Sequence, residues 1–100
     1  MINTKFNDIK AKHLKRLEQF TPIVERVHGK NHPEFFKVHA LFNQLNSKLQ
    51  ETEGRNVDLH EEFEQLREIT NQYDIPDDVC ESYEAVYTML EDLDKAYADR

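Results

Sequence analysis

Apolar residues in this chain recur at steps of three and four over nearly its whole length and are interrupted at only three places. Those steps put side chains on one stripe of a helix, whereas a half-buried strand needs alternation. The interruptions are Gly29-Lys30-Asn31-His32-Pro33, Gly54-Arg55-Asn56 and Asp74-Ile75-Pro76, built from residues that favour turns or end helices. They cut the chain into four segments of helical length. In the first, Phe6, Ile9, His13, Leu17, Phe20, Val24 and Val27 share a face. Pro22 lies inside this run, and its missing N–H predicts a kink or break near Thr21.

The second segment opens on Pro33, suited to a first helical position, and carries Phe35, Val38, Phe42, Leu45 and Leu49. Asn56 is the expected N-cap of the third, whose stripe is Leu59, Phe63, Leu66, Thr70 and Tyr73. The fourth opens on Pro76-Asp77-Asp78, with negative charge where a helix N-terminus favours it, and continues through Val79, Tyr83, Val86, Leu90, Leu93 and Tyr97. The predicted helices are 4–28, 33–53, 57–73 and 76–98. Four amphipathic helices with short connections bury their stripes most economically as an all-α, antiparallel up-down-up-down bundle. Apolar steps averaging 3.5 residues favour shallow, left-handed crossings. The predicted organisation is one domain over 1–100, since 100 residues are too few for two cores.

Composition narrows the partners. Lys plus Arg total 13 and Asp plus Glu 20, a net charge of −7 that repels a nucleic-acid backbone. No run nears the roughly 20 apolar residues that span a bilayer, and residues 1–30 hold no apolar signal-like core. The single cysteine, Cys80, excludes an intramolecular disulfide and a cysteine-bound cluster, so a reducing cytoplasm is expected, with neither nucleic acid nor membrane as partner.

Candidate chemistry is sparse. Glu25-x-x-His28 and His60-x-x-x-Glu64 have the spacing by which bundle helices aim ligands at a metal, although in a chain with 20 acidic residues such pairs also arise by chance. A solvated or ion-paired His60 and Glu64 is the plainer reading. His13 sits on an apolar stripe, where a core histidine bonded to a neighbouring helix is expected before a metal ligand. His28 and His32 flank a turn, where imidazoles interact with a helix C-terminus or bind metal. His39 is expected at the surface. Cys80 is expected to be a buried structural cysteine rather than a nucleophile, because no histidine or basic residue adjoins it in sequence. No glycine-rich phosphate loop and no serine with an evident base are present, so hydrolase and nucleotide-binding classes have no support.

Two stretches carry a resemblance. Val24-Glu25-Arg26-Val27-His28-Gly29-Lys30-Asn31-His32-Pro33-Glu34-Phe35 resembles the "VHG..HPE" turn of the hemerythrin-like domain in bacterial iron–sulfur cluster repair di-iron proteins. Leu66 to Tyr73, followed by Pro76 to Tyr83, is similar to that family's junction between helices three and four. The resemblance covers residues 5–100. It implies a bundle that binds two non-haem irons through histidines and carboxylates and helps restore iron–sulfur centres damaged by oxidative or nitrosative stress. His28 falls on the histidine of the turn. At the family's other ligand positions this chain has Asn7, Lys48, Thr52, Arg55-Asn56 and Arg100, with His60 one turn past the fourth of these. An ammonium and a hydroxyl are poor replacements for iron ligands.

The resulting expectation is a helical protein that lacks an intact di-iron site, needs no cofactor, is not an enzyme and works in the stress response through a protein partner, regulation or a homodimer. Leu14, Ile23, Phe36, Leu41, Ile69 and Tyr87 flank the stripes and would either serve a dimer or widen the core-facing stripe. The alternative is an iron protein with a rebuilt metal site, in which His28 acts with some of His13, Glu25, His60 and Glu64.

Overall fold

Four helices form along the predicted segments: α1 (Thr4–His28), α2 (Glu34–Glu51), α3 (His60–Ile69) and α4 (Glu81–Ala98). The computed structural model describes residues 4–51 and 58–98, with side chains from Asp8 onward, and every regular element among them is helical. Asn7 (as a side chain), Thr52, Arg55, Asn56 and Arg100 fall outside that description, as do Phe6 and the expected end of the second helix at 53. α1 packs on α4 and α2, and α2 packs on α3. Named pairs set the order of contact. His13 meets Asp92 and His28 meets Cys80, while Glu25 meets His39 and Glu18 meets Asn46. α3 reaches α4 through Arg67 and Asp94 and through the Phe63 and Tyr97 rings, 5.3 Å between centroids.

The apolar stripes of α2 and α4 point inward as periodicity requires, with Phe35, Val38, Phe42, Leu45, Leu49, Tyr83, Val86, Leu90, Leu93 and Tyr97 all buried. Leu17 and Val24 of α1 join them, but Val27 is 61% exposed. The drift of a 3.6-residue helix away from a 3.5-residue stripe accumulates towards its end and turns that last position outward. Four of the six flanking residues widen the stripe: Leu41 and Tyr87 are buried, and Leu14 and Ile69 pack half-buried against the core. Ile23 and Phe36 stay exposed.

Pro22 does not end α1, which runs unbroken through it. One lost hydrogen bond is offset here by anchoring on both sides, with Leu17 and Val24 buried and the Thr21 hydroxyl donating to the Leu17 carbonyl at 2.8 Å. α3 is shorter than predicted. It stops at Ile69, and Asn71, Gln72 and Tyr73 follow with φ of 54°, 63° and 61°. Three consecutive left-handed residues reverse the chain. The Tyr73 N–H donates to Thr70 Oγ1 at 2.9 Å and the Gln72 N–H to the Arg67 carbonyl at 2.7 Å, which holds the turn. α4 starts at Glu81 rather than 76, because Asp78 is drawn to His32 and the half-buried Ile75 and Val79 anchor the connection in non-helical form. No helix among the described residues is long and apolar enough to cross a membrane.

Candidate functional site

The end of α1, the turn after it and the start of α4 bring titratable groups together at one end of the helices. His28 is the last residue of α1, and its carbonyl accepts the N–H groups of Asn31 (3.1 Å) and His32 (2.8 Å), which folds the turn tightly. Gly29 is required at that bend. A Cβ there would strike the Glu25 carbonyl oxygen and come within 2.8 Å of the Phe36 ring. The turn places the His28 and His32 rings against the edge of Tyr83, each 5.5 Å from it between centroids. Tyr83 is fully buried, packs at a tilt against Phe35 and bonds the Tyr87 hydroxyl at 3.0 Å. Burial, and then the bond to Tyr87, pushes the Tyr83 phenol well above its ordinary range, so it stays protonated.

His28 Nε2 lies 3.1 Å from Cys80 Sγ. Cys80 is exposed, which corrects the expectation of a buried cysteine. Because α4 begins at Glu81, Cys80 sits at the mouth of the helix, and its carbonyl accepts the Glu84 N–H at 3.1 Å. An imidazole within hydrogen-bond reach of an accessible thiol is a base beside a nucleophile. No sequence neighbour could reveal it, since 52 positions separate the two residues. His32 is held on both sides, Nδ1 by Glu34 at 3.1 Å and Nε2 by Asp78 at 3.0 Å.

The other candidates are dispersed into separate pairs. His13 bonds Asp92 of α4 at 3.1 Å, the interhelical contact expected of a core histidine. His39 is half-buried rather than at the surface, bonded to Glu25 at 2.7 Å across α1 and α2. His60 and Glu64 face each other at 3.3 Å on the outside of α3, 72% and 64% exposed. Among the described residues no three His, Cys, Asp or Glu side chains are placed to hold a metal ion together.

Two buried carboxylates complete the picture, and sequence reading passed over both. Glu62 is 4% exposed, with Oε2 on Lys48 Nζ at 2.7 Å. The bond to Glu62 raises the Lys48 pKa above its ordinary 10.5. Asp94, 7% exposed, takes Arg67 Nε at 2.9 Å and the Tyr73 hydroxyl at 2.8 Å on one oxygen. The available signal was spacing, since Glu62 falls in step with Leu59, Phe63 and Leu66, and Asp94 with Leu90, Leu93 and Tyr97. At Lys48 an ammonium, not an imidazole, lies on a buried carboxylate.

Fold and site together define a small all-helical protein with an imidazole–thiol pair at one end and two buried ion pairs. Among curated proteins the chain is 25% identical, over 125 residues and 94% of its own length, to the iron-sulfur cluster repair protein ScdA of Staphylococcus haemolyticus (strain JCSC1435). That supports a distant relationship, and the chain spans 56% of the relative's length. A family described as "DMPK coiled coil domain like" matches residues 30–74, a stretch that takes in α2 and α3 with their heptad-like apolar steps. No solved structure matches the chain.

Proposed function

We propose that this chain is an antiparallel, hemerythrin-like four-helix domain, a cytosolic and distant relative of iron–sulfur cluster repair proteins that works through protein contacts or regulation in the stress response rather than through a di-iron centre. The observation that carries this reading is the Lys48–Glu62 pair at 2.7 Å. A buried carboxylate needs a cation, and in this chain an ammonium provides it. A metal ion brought to the same carboxylate would meet that positive charge at close range. The contacts of α1 with α4 and of α1 with α2 pair residues in opposing order, which supports the up-down-up-down path.

The test is metal analysis of protein expressed with excess iron, read with the visible absorption of an oxo-bridged pair. Expected are less than one iron per chain, no such absorption, and loss of any residual metal in His28→Ala. Two irons per chain retained through chelator treatment would overturn the proposal in favour of a rebuilt site around His28.

A further inference from the structure

α1 and α4 do not close on each other along their whole length. Between them lies a groove of about 560 Å³, a size typical of ligand sites. Its floor is apolar, formed by half-buried Phe20 and Ala85 and by buried Met89. Its walls carry opposite signs. Lys12 and Arg16, one turn apart on α1, line one side, and Glu81 and Glu84 on α4 line the other, all four exposed, while Asp92 of α4 also lines the groove and is held by His13. None of the four makes an ion pair among the described residues.

We propose that this groove binds a short, apolar peptide with free termini, its carboxylate at Lys12 and Arg16 and its ammonium at Glu81 and Glu84. The proposal stands apart from the functional reading above, and its ligand-binding charges, Lys12, Arg16, Glu81 and Glu84, have no part in that reading. The spacing of the charges sets the ligand's length. His13 and Asp92, in contact at 3.1 Å, mark one end of the groove. At about 1.5 Å of rise per residue, Glu84 and Glu81 lie roughly 12 and 16 Å from that end and Arg16 only about 4.5 Å from it. Along the helix axis the backbone positions of the two pairs are therefore centred roughly 12 Å apart, the reach of about three to four extended residues at about 3.3–3.6 Å each. An anion or a cation alone would satisfy one wall and be repelled by the other, whereas a zwitterion meets both and can lie in only one direction.

The test titrates the ¹⁵N-labelled full chain with Leu-Phe-Leu and Leu-Phe-Phe-Leu, each with free termini and as an acetylated, amidated twin. The expected result is saturable shifts at the amides of Phe20, Ala85 and Met89, with binding about fivefold weaker for each terminus blocked. In Glu84→Gln acetylation should cost less than in the parent, and in Arg16→Gln amidation should cost less. Both residues are exposed, so circular dichroism should be unchanged. If neither free peptide gives saturable shifts, if blocked and free peptides bind equally, or if the shifts fall on other faces, the proposal is wrong.

Discussion

Glu62 lies on the same face of α3 as Phe63 and Leu66, and its Oε1 has no hydrogen-bond donor among the described residues. Among the described residues its compensation comes through Oε2 and Lys48, so removing the lysine strands a buried carboxylate. Lys48→Met should destabilise the protein by about 1–3 kcal/mol, the cost of stranding a buried polar group. Lys48→Met combined with Glu62→Met should recover most of that loss, because an apolar pair of similar volume removes the desolvation penalty as well as the attraction. Urea denaturation of the four members of the cycle measures it. A double variant no more stable than Lys48→Met alone would show that the pair is not acting as a unit.

At the scale of the element, α4 and the turn before it behave oppositely. Leu90 is fully buried at the middle of the most regular stripe, so Leu90→Ala should cost about 2–5 kcal/mol and lower the denaturation midpoint accordingly. Gln72 is exposed at φ 63°, a conformation that costs a residue with a Cβ about 1–2 kcal/mol. Gln72→Gly should therefore raise stability, by about 0.5–1 kcal/mol once the greater freedom of glycine in the unfolded chain is subtracted. A lowered midpoint in that variant would place a side-chain contact of Gln72 above the strain. The positions of α1 and of the α2 start were legible because Gly29 and Pro33 mark them. The early stop of α3 was not legible, because the three left-handed residues after Thr70 include no glycine.

Across the whole molecule, alkaline pH should be the weak side. Tyr73, Tyr83 and Tyr87 all have pKa values raised above the ordinary 10.0, chiefly by burial, and Lys48 is raised above 10.5 by its bond to Glu62. A raised folded pKa gives stability that is complete below the unfolded value and is lost as pH climbs towards the folded one. The denaturation midpoint should hold up to about pH 9.5 and fall above about pH 10, and Tyr73→Phe should fall less steeply than the parent because one of the three phenols is gone. Equal slopes for the two proteins would mean that neither burial nor the bond to Asp94 holds the Tyr73 proton.

Periodicity decides that the chain is helical and which faces of α2 and α4 turn inward, because a stripe at steps of three and four is buried as one face of a helix, and Gly29 and Pro33 mark where α1 ends and α2 begins. His13, read as a core histidine reaching another helix, meets Asp92 on that basis. Pairings between distant residues are of another kind. That His28 meets Cys80, that Asp78 turns back to His32 and that Lys48 neutralises Glu62 depend on how four helices are set side by side. A side chain's spacing reports its own helix, and what faces it is chosen only when the helices pack.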